Sequence, residues 1–289
     1  MSENEFTAGK EEQGRVLGFR ANQPSGLRDA ASLADRLPAQ ALSAEDQKKK
    51  KAVTPVKITS PYILRFNEGD GHLAEEYRKL KSSVLSMQQK NANHNTIMVT
   101  SSESDEGKSL TSVNLALVLA QESNRTVLLV DADLRRPSLH TYLGVKANIG
   151  LADCILDGID LHDALIKTSV PRLNFLAAGK KTDTPAELFS SDKMKEIVQE
   201  IKSRYHDRII IFDTPPALIF SDIRVIATFV DGIIFLVKEG VSVNSVRDAL
   251  AVLKGSPVLG IVYNAVSPEQ MHARYHSYYK YYTREHSQK

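Results

Sequence analysis

The sequence predicts an α/β fold: a doubly wound, mostly parallel sheet with helices on both faces. Three observations predict it. Short runs rich in Ile, Val, Leu and Phe recur at residues 96–100, 126–130, 209–212, 232–237 and 258–262. Such near-continuous apolar runs are what strands covered on both faces require. Stretches with helical spacing alternate with them, as in βαβ units. Three of the runs also end on charged or small polar residues, and in an open parallel sheet those ends gather on one edge.

Bulk properties narrow the class without naming a chemistry. The chain has 289 residues, 42% apolar and 25% charged, ordinary for a globular protein with a sizeable core. A formal charge of +2 gives no reason to expect nucleic acid. Cys154 is the single cysteine, which excludes an intrachain disulfide and suits a small buried hydrophobe. The first ten residues lack the apolar core of a secretory signal. No run approaches the roughly 18 apolar residues of a membrane span. The expectation is a soluble, cytoplasmic protein that reaches the inner membrane only through a partner.

In chain order, residues 1–70 are polar and read as a flexible tethering extension. Lys48 to Lys51 lie within it, a solvated linker or a weak contact for an anionic membrane face. A domain of residues 71–270 and a tail of 271–289 follow. Residues 73–89 predict a helix, with Leu73, Tyr77, Leu80, Val84 and Met87 on one stripe. Glu75, Arg78 and Lys81 lie on its other faces at spacings of three. That spacing suits either a subunit contact or a solvated face with an i,i+3 ion pair. Further helices are predicted over 109–121, 186–205, 222–229 and 243–254, and another strand over 173–177.

The 96–100 strand leads through Ser101-Ser102-Glu103-Ser104-Asp105-Glu106-Gly107 to Lys108-Ser109-Leu110 and the next helix. Strand, loop, Gly-Lys-Ser and helix is the plan of a phosphate-binding loop. Backbone N–H groups and the helix dipole face a polyphosphate, the lysine reaches its terminal phosphates, and the serine hydroxyl ligates Mg²⁺. Asp105 to Leu110 are the expected ATP-binding backbone. The motif's first glycine is replaced by Ser102. Glu103, Asp105 and Glu106 put three acids beside the phosphates. The expectation is that the backbone cradles phosphate with those side chains turned outward and that Mg-ATP binds weakly.

The second polar strand end is Asp131-Ala132-Asp133-Leu134-Arg135-Arg136-Pro137. Two carboxylates there can hold Mg²⁺, or one can accept the proton of an attacking hydroxyl. An Asp-rich turn or helix cap is the other reading. The third end is Asp213-Thr214-Pro215-Pro216, where an aspartate closing an apolar strand is a second metal holder. Half of the ten tyrosines, Tyr275, Tyr278, Tyr279, Tyr281 and Tyr282, crowd the last fifteen residues. Four of these also fit an amphipathic helical stripe. No H-E-x-x-H zinc pattern and no Gly-x-Ser-x-Gly elbow is present.

Taken in order, these stretches resemble the bacterial protein-tyrosine kinases of capsule and exopolysaccharide systems. The resemblance runs from about Leu73 to the C-terminus. It also covers Glu75-x-x-Arg78-x-x-Lys81, Pro185-Ala186-Glu187-Leu188, Asp222 and Leu259-Gly260-Ile261-Val262-Tyr263-Asn264. It implies an autokinase that phosphorylates its own tail tyrosines between neighbouring subunits of a ring, with a separate transmembrane activator. By the same resemblance Lys108 binds phosphate, while Ser109, Asp133 and Asp213 organise Mg²⁺. Asp131 accepts the tyrosine proton, Arg135 joins the catalytic set, Asn264 contacts adenine, and Glu75, Arg78 and Lys81 form the subunit contact. Two readings from other classes stand beside it: a partitioning or division-site ATPase switch, and a low-turnover nucleotide-binding regulatory subunit. Glu103 stands where the partitioning proteins carry their signature lysine.

Overall fold

The computed structural model describes residues 55–58, 71–91, 94–203 and 207–266. The element order is α1 (Gly71–Lys90), β1 (Thr96–Ser101), α2 (Lys108–Leu119), β2 (Thr126–Asp131), α3 (Leu139–Leu143), α4 (Leu151–Leu156), α5 (Leu161–Ala164), β3 (Leu165–Lys167) and β4 (Leu173–Leu176), followed by α6 (Pro185–Ser190), α7 (Asp192–Ser203), β5 (Arg208–Asp213), α8 (Asp222–Ala227), β6 (Gly232–Lys238), α9 (Val243–Val252) and β7 (Val258–Asn264). The tail tyrosines and Lys48 to Lys51 lie outside the described residues.

The seven strands form one sheet in the order β3-β4-β2-β5-β1-β6-β7. All described pairings are parallel except β3 with β4. The doubly wound, mostly parallel fold is therefore as the apolar runs predicted. Strand alternation explains how both faces are filled. Ile97, Val99, Val127, Leu129, Ile209 and Ile211 pack on one side with Val113 and Leu117 of α2 and Leu139 of α3. Met98, Leu128, Val130, Ile210, Phe212 and Phe235 pack on the other with Leu151, Phe189, Ile197 and Ile223.

Two segments depart from the sequence reading. The helix predicted over 186–205 is two helices, α6 and α7, because Ser191 is extended at φ −69°, ψ 152°. Its hydroxyl oxygen accepts the Met194 N–H at 3.1 Å, capping α7. The Ser190-Ser191-Asp192 stretch carries that cap signal. Residues 139–167 also hold α3, α4, α5 and the antiparallel strand β3. These elements are too short for periodicity to show. Within the N-terminal stretch read as an extension, Val56 bridges Thr168 in parallel, and Ser169 donates its N–H to the Val56 carbonyl at 2.7 Å.

Candidate active site

The phosphate-loop strand β1, together with β5 and β2, supplies three adjacent strand tips. Asp213 of β5 is in register with Val99 of β1 on one side and with Asp131 of β2 on the other. The loop 102–107 therefore leaves the sheet beside both acidic ends. Its turn is made by Asp105 at φ 59° and Gly107 at φ 90°. Asp105 is a residue type that tolerates this region, and a glycine is needed at 107, where an added Cβ would lie 2.2 Å from the Asn264 Nδ2.

Lys108 opens α2 and is buried. Its ammonium donates to Ser101 Oγ at 3.1 Å and to the Glu103 carbonyl at 3.2 Å. Burial pulls its pKa below the usual lysine value, opposed by the nearby charges of Asp213, Asp133, Glu106 and Asp105. A cation lodged among four acids and a loop full of backbone donors is prepared for phosphate oxygens.

Asp213 is fully buried at the tip of β5, and burial pushes its carboxyl up to about 7. The Ser109 and Ser112 hydroxyls and Lys108 draw it down, while Asp133 raises it. Ser112 donates to Oδ1 at 3.0 Å. The other oxygen, Oδ2, is buried without a hydrogen-bond partner. An unpaired buried carboxylate oxygen is costly, and a hard divalent cation is the ligand that suits it. Ser109 Oγ, Asp133 and Asp213 Oδ2 are all oxygen donors, the ligand type that Mg²⁺ takes. Among the described residues no three His, Cys, Asp or Glu side chains are grouped to hold a metal. Phosphate oxygens and water would therefore complete the coordination.

Asp131 has the surroundings of a cap. Its Oδ2 accepts the N–H groups of Ser138 and Leu139, both at 3.1 Å, at the start of α3. Its Oδ1 accepts the Asp133 N–H at 3.3 Å. Burial is the main reason its carboxyl is held well above the ordinary range, with Asp213 and Asp133 adding to it and the backbone N–H groups opposing. The turn-and-cap alternative is thus physically realised at Asp131. The same carboxylate still lies beside Asp213. Asp133 is less buried, and its Oδ1 accepts the Arg136 N–H at 3.0 Å.

Four of these side chains hold partners within the chain. Arg135, expected in the catalytic set, is committed to Asp222: Nε donates to Oδ2 at 3.1 Å and Nη2 to Oδ1 at 3.3 Å. Its guanidinium also lies 4.4 Å from the Phe220 ring centroid. That geometry braces the loop after β5, because a buried Asp222 requires a cation. Glu106, expected to turn outward, turns in and is buried, while Glu103 and Asp105 remain exposed. Asn264, expected on the adenine, donates its amide to the Glu106 carbonyl at 2.8 Å. On α1, Lys81 pairs with Glu122 of its own chain at 2.6 Å. Glu75 and Arg78 pair with each other at 3.0 Å on the exposed face.

Sequence reasoning missed Ser112, Ser138 and Ser101. Ser112 and Asn114 are polar residues in a helix buried nearly all round, and that mismatch is a signal that α2 meets another polar element. Ser138 hydrogen-bonds Ser109 at 2.9 Å, a contact across 29 residues with no local pattern.

Residues 97–287 match the family model described as the CobQ/CobB/MinD/ParA nucleotide binding domain. Over 228 residues the chain is 33% identical to the tyrosine-protein kinase YwqD of Bacillus subtilis, covering 76% of this chain and 90% of that one. The fold superimposes on the kinase domain of the Escherichia coli tyrosine kinase ETK with a TM-score of 0.65 at 25% identity, covering 78% of this chain and 89% of that one. It superimposes on the BceF tyrosine kinase domain with a TM-score of 0.63 at 28% identity, covering 71% and 83%.

Proposed function

The chain belongs to the bacterial tyrosine-protein kinases, and from that premise we propose a specific division of labour. The observation that carries it is the adjacency of the β1, β5 and β2 tips, which sets Lys108, Asp213 and the Asp131–Asp133 pair at one sheet edge. The enzyme is an ATP-dependent autokinase whose acceptors are Tyr275, Tyr278, Tyr279, Tyr281 and Tyr282. Its output is control of capsule or exopolysaccharide polymerisation and export.

In this reading the loop N–H groups and Lys108 hold the phosphates, and Lys108 exchanges its Ser101 and Glu103 contacts for phosphate oxygens. Ser109, Asp133 and Asp213 would hold Mg²⁺, which would supply charge neutralisation for the transferring group. The tyrosine oxygen forms its bond to the terminal phosphorus as the bond to ADP breaks. Asp131 takes the phenolic proton, whose ordinary pKa near ~10 makes a base useful. The raised proton affinity of the buried Asp131 carboxyl suits that role. Arg135 and Asp222 act indirectly, by holding the loop after β5.

The acceptor tail is presented by a neighbouring copy in a ring, and a transmembrane partner serves as activator and brings the kinase to the membrane. Among the described residues no helix is long and apolar enough to cross a membrane. Support for the subunit contact rests on the exposed Glu75–Arg78 pair of α1.

Anti-phosphotyrosine detection on the purified chain with Mg-ATP tests this assignment. Signal in wild type and its loss both in Lys108→Met and in a chain ending before Tyr275 are expected. Undiminished signal in Lys108→Met would remove the phosphate loop from catalysis.

A further inference from the structure

Glu106 is the one loop acid that the outward-facing expectation misplaces. It is 1% exposed, and a carboxylate so buried must be satisfied on both oxygens. Its Oε1 accepts the Ser102 hydroxyl at 2.8 Å and the Glu103 N–H. Its Oε2 accepts the N–H of Lys238 at 2.9 Å, at the end of β6 and 132 residues away. The Glu106 carbonyl accepts from Asn264 Nδ2 at 2.8 Å, at the end of β7. Lys238 and Asn264 are register partners, so two neighbouring strand tips grip a single loop residue.

On its other flank the loop is fastened by backbone bonds, beside a Thr100 hydroxyl that donates to the Pro215 carbonyl at 2.9 Å. Ala217 donates its N–H to the Ser101 carbonyl at 2.8 Å, and Leu218 to the Ser102 carbonyl at 3.3 Å. The β6–β7 flank depends on Glu106. Ser102 stands where the standard motif has glycine, and its side chain is fully buried. Glu106 supplies the acceptor that this hydroxyl needs.

We propose that Glu106 is a positioning residue: its carboxylate latches the phosphate loop to the tip of β6, and its carbonyl orients Asn264 on β7. The loop and the β6–β7 edge are thereby held in one fixed relation, and a serine is accommodated at 102. The inference deepens the nucleotide-site reading, and one of its two readouts needs no nucleotide.

The test uses the full chain with Glu106→Gln and Glu106→Ala. Glutamine keeps an acceptor for Ser102 and Glu103 but turns an N–H₂ donor toward the Lys238 N–H. In nucleotide-free protein, amide exchange at Lys238 should speed up at least tenfold in both variants, with Leu236 in the same strand unchanged. Unchanged exchange at Lys238 would overturn the latch. Calorimetric titration with ADP should show affinity reduced at least tenfold in Glu106→Ala and less in Glu106→Gln. In kinase assays KM for ATP should rise by a larger factor than kcat falls. A lowered melting temperature with wild-type ADP affinity would make Glu106 merely structural and overturn the proposal. Should Glu106→Ala not fold, the same two measurements on Glu106→Gln decide the matter. Absence of ADP binding by the wild-type chain would instead sink the nucleotide reading, leaving the exchange result to judge the latch.

Discussion

The Ser112 hydroxyl donates to Asp213 Oδ1 at 3.0 Å, joining the phosphate-loop helix to the tip of β5 across 101 residues of sequence. It leaves Asp213 one buried oxygen satisfied and the other open. Replacing Ser112 by Ala removes the satisfied partner. The expected cost is about 2 kcal/mol at neutral pH, measured by urea unfolding of metal-free protein. An Asp213→Asn/Ser112→Ala double variant should lose less than the sum of the two single changes, because no charge is then stranded.

The buried acids predict how stability follows pH. Asp213 has its folded carboxyl pushed up to about 7, and Asp131 is also raised, against roughly 3.9 in the unfolded chain. Between those values the folded state holds more protons than the unfolded state. Stability contributed by these groups therefore falls as pH rises through that window and levels off above it. Asp231 works the other way. Burial raises it, but hydrogen bonds from Thr96 and Lys202 outweigh burial and lower it overall, so its contribution is lost only on further acidification. Scanning calorimetry of metal-free protein should show a higher melting temperature at pH 5 than at pH 8. Mg-ADP should stabilise more at pH 8, since cation binding favours the ionised acids. Equal melting temperatures without metal would argue against the raised values.

Arg135 and Asp222 form a pair in which Asp222 is buried and Arg135 about one third exposed. Arg135→Ala strands the carboxylate and should cost about 2 kcal/mol, below the range for a fully buried pair because Arg135 is partly solvated. Arg135→Lys should recover less than half, since an ammonium cannot make both bonds and stack on Phe220. Urea unfolding measures both, and full recovery by lysine would contradict the bracing role.

On α1, the Glu75–Arg78 pair is about half exposed on both sides. Glu75→Ala with Arg78→Ala should change monomer stability by no more than about 0.5 kcal/mol. Light scattering on the same double variant should show reduced oligomer mass. Unchanged mass would remove this face from the subunit contact. Lys81→Ala, which breaks the part-buried bond to Glu122, should instead lower stability by about 1 kcal/mol.

The chain's order of residues already contained the sheet, the phosphate loop and the two acidic strand ends. Apolar runs of five or six residues have few ways to be buried on both faces. A Gly-Lys-Ser between such a strand and a helix has a local mechanism that any fold of this class expresses. Which strand tips would be neighbours, and what each polar side chain would face, was set by tertiary packing alone. Ser112 meets Asp213, Arg135 meets Asp222, and Glu106 turns in to Lys238 because the order β2-β5-β1-β6-β7 brings distant segments together. A buried charge takes the partner the fold supplies, and no spacing along the chain encodes who that partner is.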